Sequence, residues 1–127
     1  MASPLVSVCI PCHNAAPFVG QAIESVLGQS WPKIEIIVVD DGSTDGSISV
    51  CKRYESATLR VIPAEYGSAS RSRNCALSEA QGEHIKFLDA DDLLSPGAIE
   101  AQVHRLGERV DAVATSRWGR FYGDDLS

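Results

Sequence analysis

Three carboxylates follow directly on a short apolar stretch late in the sequence. Residues 85–88 have the composition of a strand, and Asp89, Asp91 and Asp92 lie just beyond it. Residues i and i+2 of an extended chain project to the same side, so Asp89 and Asp91 face one point while Ala90 turns away. Two carboxylates facing one point suit a hard divalent cation, Mg²⁺ or Mn²⁺, which also binds phosphate oxygens. A capped acidic loop without a metal fits these residues equally well.

Length, composition and charge bound the class of protein. The chain has 127 residues, 44% hydrophobic and 22% charged, which predicts one globular domain over residues 1–127. The net charge of −6 and the scattered Lys and Arg argue against nucleic acid and anionic membrane surfaces as partners. We expect a cytoplasmic protein, at most peripheral at the inner face of the membrane through parts outside this sequence, because no spanning segment or signal peptide is evident.

Cys9 and Cys12 have the C-x-x-C spacing of redox and zinc sites. Zinc needs four ligands, and the sequence offers neither a second such pair nor a matching histidine pair. Cys9 falls in a predicted strand, and the next helix is predicted to begin at Pro17, too far along to lower the pKa of Cys12. We therefore expect both residues, with Cys51 and Cys75, to be reduced and structural.

Strand and helix patterns alternate along the sequence. This alternation predicts right-handed βαβ units, hence an α/β fold with a mostly parallel sheet and helices on both faces, as in Rossmann-like domains. The first helix should bury a stripe that runs from Phe18 to Leu27. The predicted strands are 6–10, 34–39, 59–62, 84–88 and 111–115, and the predicted helices are 17–27, 47–55, 69–80 and 96–106. The third helix should place Ala69, Arg73, Ala76, Leu77 and Ala80 on one face.

Ligands of open parallel sheets bind beyond the carboxyl ends of the strands. By that rule the functional residues lie in three loops, 11–14, 40–44 and 89–92, each of which is polar. The sequence has no glycine-rich dinucleotide fingerprint and no P-loop. A diphosphate would therefore have to be held through a metal, and Asp89 and Asp91 meet that requirement.

Other polar side chains could complete a nucleotide site. Asp40 and Asp41 can accept hydrogen bonds from a base N–H or from ribose hydroxyls, and Arg73 or Arg71 can donate. Each assignment has a structural alternative, because the residues around Ser43 could form only a capped turn and Arg73 could lie on the surface.

Four segments, in this order, resemble a known family. They are residues 6–14, 36–45, 73–74 and 82–92, and the match extends over about residues 5 to 115. Together they resemble the inverting nucleotide-sugar glycosyltransferases of the GT-A fold, specifically the family-2 type. Four linked motifs are much more specific than an isolated Asp-x-Asp pair.

The resemblance implies a donor site for a nucleotide sugar, with a UDP-sugar as the expected donor and a saccharide or lipid-linked acceptor. It implies that Asp89 and Asp91 hold Mg²⁺ or Mn²⁺ and that Asp40 or Asp41 reads the base. Many relatives carry Tyr-Asn-Glu where this chain has residues 12–15, so that glutamate has no counterpart here. The nucleotide-binding residues it implies are Pro11, Cys12, His13, Asn14, Asp40, Asp41, Ser43, Arg73, Asp89, Ala90 and Asp91.

The family places its catalytic base past the matched region. The resemblance therefore implies that this chain is the donor-binding part of a longer enzyme and is inactive alone. Two other interpretations remain: a nucleotide-binding module without turnover, and a nucleotidyltransferase, although the glycine-rich first loop of the latter is absent.

Overall fold

The computed structural model describes residues 3–106, so the predicted strand 111–115 lies outside the described residues. The strands are β1 (Val6–Cys12), β2 (Ile34–Asp41), β3 (Leu59–Ala64) and β4 (His84–Phe87). The helices are α1 (Ala16–Leu27), α2 (Ser47–Lys52), α3 (Ala69–Glu79) and α4 (Ala98–Leu106). Among the described helices, none has the length and apolar character needed to cross a bilayer.

Within the described part, the strands form one parallel sheet in the order β3-β2-β1-β4. Apolar residues of α1, α2 and α4 pack on one face, and α3 packs on the other. β2 is buried on both faces, as its Val- and Ile-rich sequence predicts. The predicted parallel α/β fold is confirmed.

Helix α1 shows how the pattern produces the element. Its buried residues Val19, Ala22, Ile23 and Val26 follow the i, i+3, i+4, i+7 spacing of one helical stripe. The predicted stripe was too wide, because Phe18 is 51% and Leu27 is 55% exposed. Both lie at the margin of the helix face that contacts the sheet.

Helix α3 contacts the sheet through a stripe that only partly matches the predicted face. Ser72 and Ala76 are buried, whereas Leu77 is 44% exposed. These two residues are four positions apart and small, so they let the helix lie close to β1 and β2. The predicted face was therefore right at Ala76 and Ala80, which pack against the sheet, but it included the exposed Leu77 and omitted Ser72.

The strand ends also differ from the prediction. β1 and β2 stay paired to Cys12 and Asp40, and β2 and β3 stay paired to Asp41 and Ala64. Pro11, Cys12, Asp40 and Asp41 therefore lie in strands rather than in loops. This pairing fixes their backbone, which a loop would leave less constrained.

Strand β4 ends at Phe87, one residue earlier than predicted, although Leu88 remains buried. Lys86 in this strand is completely buried, which the sequence did not indicate. Burial lowers the pKa of its amino group to about 7.

Candidate functional site

A cavity of about 520 Å³ lies at the carboxyl edge of the sheet. It lies where the ends of β2 and β4 flank the end of β1, the position that open parallel sheets use for ligands. It is lined by residues 11–15, Phe18, Asp41, residues 67–69, Ser72, Arg73 and residues 89–91. All three predicted polar segments contribute to it.

Most of the predicted nucleotide-binding residues line this cavity, whereas Asp40 and Ser43 are not among the lining residues. Asp40 is buried and accepts a hydrogen bond from Ser43 Oγ at 2.7 Å. Ser43 Oγ in turn accepts from the Asn14 N–H at 2.9 Å. These two residues therefore position the loop after β1. The residues that do line the cavity are Pro11, Cys12, His13, Asn14, Asp41, Arg73, Asp89, Ala90 and Asp91.

Asp41 holds the turn that leads into α3. Its Oδ1 accepts from the N–H groups of Tyr66 at 2.6 Å and Gly67 at 3.0 Å, and its Oδ2 accepts from Ser68 N–H at 2.9 Å. Gly67 has a φ of +65°, which a glycine adopts without strain. Burial alone would raise the pKa of Asp41, but the backbone donors of Gly67, Ser68 and Tyr66 lower it below the usual value.

His13 and Asn14 join the ends of the first two strands. His13 Nδ1 lies 2.6 Å from the Asp41 carbonyl oxygen. Asn14 has a φ of 49°, a left-handed conformation that asparagine tolerates, and its Oδ1 accepts from Thr44 N–H at 2.8 Å. The two loops therefore form one hydrogen-bonded unit.

Asp45 caps the start of α1 from the neighbouring loop. No side chain caps this helix from Ala15, the residue just before it. Asp45 instead accepts from Ala16 N–H at 3.1 Å and from Ser47 N–H at 2.9 Å. The bond from the Ser47 hydroxyl is the main reason that the pKa of Asp45 is lowered. The carboxylate thus stabilises the helix terminus that borders the cavity.

The acidic cluster can supply a hard donor set. Asp89, Asp91 and Asp92 each offer one oxygen, and these oxygens lie within 4.8 Å of one another. The pKa of Asp92 is raised, first by burial and then by the charges of Asp91 and Asp89. Arg73 Nη2 lies 3.7 Å from Asp89 Oδ1, with both side chains substantially exposed. Oxygen donors that repel one another fit Mg²⁺ or Mn²⁺.

All four cysteines are free thiols, as expected. The sequence predicted that the first helix would begin too far along the chain to lower the pKa of Cys12. α1 does begin beyond it, but a hydrogen bond from the Cys51 thiol lowers its pKa. Burial raises the pKa of Cys9 to about 12. The two members of the C-x-x-C pair therefore have opposite environments.

Sequence reasoning missed six residues that line the cavity, which are Ala15, Phe18, Gly67, Ser68, Ala69 and Ser72. Phe18 was assigned to the core because an apolar residue at a cavity has the same helical spacing as one in the core. Ser72 gave no signal, since serine is common on exposed helix faces.

The fold and the position of its cavity are those of the GT-A type, as two solved structures show. A solved structure of S. aureus TarS 1-349 in complex with UDP superposes with a TM-score of 0.76 at 29% identity, covering 82% of this chain and 32% of that one. A structure titled mannosyltransferase PcManGT from Pyrobaculum calidifontis in complex with GDP-Man and Mn²⁺ superposes with a TM-score of 0.76 at 29% sequence identity. The match covers 85% of this chain and 34% of that one.

Residues 7–127 match the family described as "Glycosyl transferase family 2", and the chain belongs to that family. It is 41% identical over 109 residues to a putative teichuronic acid biosynthesis glycosyltransferase, TuaG, of Bacillus subtilis, covering 84% of this chain and 43% of that protein. It is 34% identical to glycosyltransferase GlyG of Streptococcus pneumoniae, and that match covers 98% of this chain and 42% of that protein. The chain thus spans less than half the length of these relatives.

Proposed function

We propose that this chain forms the donor site of an inverting, metal-dependent glycosyltransferase that transfers a sugar from a UDP-sugar to a saccharide or lipid-linked acceptor. One observation carries the proposal: Asp41, Asp89 and Asp91 line a single cavity at the carboxyl edge of the sheet. A base-reading carboxylate and a metal-binding pair are thereby within reach of one nucleoside diphosphate. The structural neighbours whose titles name UDP, UDP-GlcNAc and GDP-Man support a nucleotide-sugar donor.

In this proposal Asp41, rather than Asp40, reads the base. Asp41 lines the cavity, and its Oδ2 accepts only one backbone N–H, which leaves a lone pair for a base N–H. Asp40 is buried and bonded to Ser43. His13 presents an exposed ring at the same wall of the cavity, suited to contact the face of the base.

Asp89 and Asp91 would hold the metal, with Asp92 close enough to assist. A bound Mg²⁺ or Mn²⁺ would neutralise the charge that develops on the departing diphosphate. Arg73, already paired with Asp89, adds a positive charge at this end of the cavity. Its guanidinium group can donate to a phosphate oxygen.

The catalytic base of the proposed reaction lies beyond residue 127. Inversion needs a carboxylate that takes the acceptor proton on the face opposite the leaving group. Within the described part, the carboxylates that line the cavity are Asp41, Asp89 and Asp91, and each has a donor-binding role in this proposal. A cytoplasmic location is also part of the proposal, supported by the four free cysteines.

Calorimetry of UDP binding with and without Mn²⁺ tests the donor site. Mn²⁺ should raise the affinity roughly tenfold or more, and Asp91→Ala should abolish that gain. Glu65→Gln, an exposed acidic residue away from the cavity lining, is the matched control. Undiminished Mn²⁺-dependent affinity in Asp91→Ala would overturn the metal assignment.

Radiolabelled UDP-sugars with a panel of saccharide and lipid-linked acceptors test the placement of the base. This chain alone should bind donor without forming a glycoside. Rapid glycoside formation would show that the base lies within the 127 residues, and it would leave the donor-site assignment standing.

A further inference from the structure

Ser72 carries a hydroxyl group that the described protein does not use. The residue is 1% exposed, and its Oγ has no hydrogen-bond partner within residues 3–106. Buried hydroxyl groups in native proteins are nearly always bonded, because leaving one unsatisfied costs free energy. Ser72 also lines the cavity, so a ligand there could supply the missing partner.

The position of Ser72 relates its hydroxyl to Asp41. Ser72 lies in the first turn of α3, where its N–H donates to the Ser68 carbonyl at 3.1 Å. Ser68 N–H in turn donates to Asp41 Oδ2. The Ser72 hydroxyl lies close enough to the Asp41 carboxylate to contribute to its lowered pKa, but its geometry falls short of a hydrogen bond, so the hydroxyl can still turn to a ligand. An acceptor with a free lone pair and a donor without a partner therefore lie side by side.

We infer that Ser72 is a specificity-determining residue whose hydroxyl donates to the carbonyl next to the ring N–H of a nucleobase. The inference rests on the proposed function and adds a residue that lies outside the predicted site. Uracil and guanine both present a ring N–H beside a C=O. The N–H would donate to Asp41 Oδ2, and the C=O would accept from Ser72.

The same pair disfavours cytosine and adenine. Each of these bases has a ring nitrogen lone pair where uracil and guanine have the N–H, and an amino donor where they have the carbonyl. The lone pair would face the Asp41 carboxylate, which repels it, and the Ser72 hydroxyl would have to turn from donor to acceptor to meet the amino group. A site built to bond one pattern rejects the other because its own polar groups are left unpaired.

Calorimetry of UDP and CDP binding in Mn²⁺, with the wild-type chain and Ser72→Ala, tests the inference. Ser72→Ala should weaken UDP by roughly 3- to 10-fold, the effect of one hydrogen bond, and leave CDP nearly unchanged. If the wild type binds GDP more tightly than UDP, the affinities of both proteins for GDP and ADP are compared instead. Ser72→Ala should then weaken GDP and leave ADP nearly unchanged. Ser70→Ala, an exposed serine on the same helix, should change neither affinity.

Thermal unfolding without nucleotide separates recognition from a structural role. Because Ser72→Ala removes an unsatisfied hydroxyl, the melting temperature of the free protein should stay the same or rise. Equal weakening of UDP and CDP together with a lower melting temperature would overturn the inference in favour of structural support for Asp41. Unchanged UDP affinity in Ser72→Ala would overturn it while leaving the donor site intact. Failure of the wild type to bind either UDP or GDP would instead refute the proposed function itself.

Discussion

The Nδ1 atom of His13 lies 2.6 Å from the carbonyl oxygen of Asp41. A carbonyl oxygen only accepts, so Nδ1 must carry the hydrogen, and Nε2 of the neutral ring is left as an acceptor. Asn14 Nδ2, 3.4 Å from Nε2, can donate to it. The end of β1 and the end of β2 are thereby joined by a ring whose orientation is fixed at the cavity.

Replacing His13 separates its two roles. His13→Phe keeps a flat ring but loses the bond to Asp41, so the free energy of unfolding should fall by about 1 kcal/mol while UDP affinity changes little. His13→Ala loses the ring as well and should weaken UDP roughly tenfold, the effect of one stacking contact. Urea denaturation and calorimetry measure the two effects. Equal UDP affinity in all three proteins would contradict a ring–base contact.

Asp41→Asn should destabilise the protein in a pH-dependent way. The pKa of Asp41 in the folded protein is below its usual value of 3.8, so its charge favours the folded state above that pH. This contribution is lost as the pH falls through the folded-state pKa. The gap in melting temperature between wild type and Asp41→Asn should therefore be largest near pH 7 and shrink below about pH 4. Glu65→Gln should show no such gap, and a gap independent of pH would contradict the explanation.

Gly82→Ala should push β4 away from β1. A Cβ at Gly82 would lie 2.5 Å from Ser7 Oγ, 2.7 Å from Ser7 N and 2.8 Å from Leu5 O. Two of these are backbone atoms, one in β1 and one just before it, and they cannot move freely, so we expect the free energy of unfolding in urea to fall by about 1–3 kcal/mol. Gly46→Ala, where a Cβ meets nothing within 4 Å, is the control. Since β4 leads into Asp89, Mn²⁺-dependent UDP binding should weaken as well.

Alkylation by iodoacetamide, followed by mass spectrometry, should distinguish the cysteines. Cys75 is partly exposed and should react first. Cys12 is nearly inaccessible but lines the cavity, so it should react slowly, and UDP should slow it further. Cys9 should stay unmodified until the protein unfolds, because burial raises its pKa to about 12. Protection of Cys75 by UDP, with no effect on Cys12, would contradict the placement of the nucleotide.

The sequence predicted the fold and the acidic pair because both follow from local patterns. The Val- and Ile-rich run of β2 specifies a strand buried on both faces. The i, i+2 spacing of Asp89 and Asp91 brings their oxygens together, and the structure places them within 4.8 Å. The sequence signal of each feature is local, although β2 is buried by elements distant in the chain.

What the sequence did not predict depends on distant partners. Asp41 accepts hydrogen bonds from residues 66–68, which lie 25 to 27 positions later in the chain. Its role in holding the start of α3 therefore had no local signal. Lys86 lies buried in a strand that needs its neighbours to cover it. The choice between Asp40 and Asp41 likewise depends on which side chain faces the cavity, and pairing with β1 and β3 determines that.

The strand order has a consequence for the sequence of events in folding. Ser7 of β1 pairs with Glu35 of β2, 28 residues away, and with Ile85 of β4, which comes much later in the chain. Closing the shorter loop costs less chain entropy, so the pairing of β1 with β2 should form before the pairing of β1 with β4, which leads into the acidic cluster. Pulse-labelling hydrogen exchange should then show amides of β2 protected earlier than those of β4.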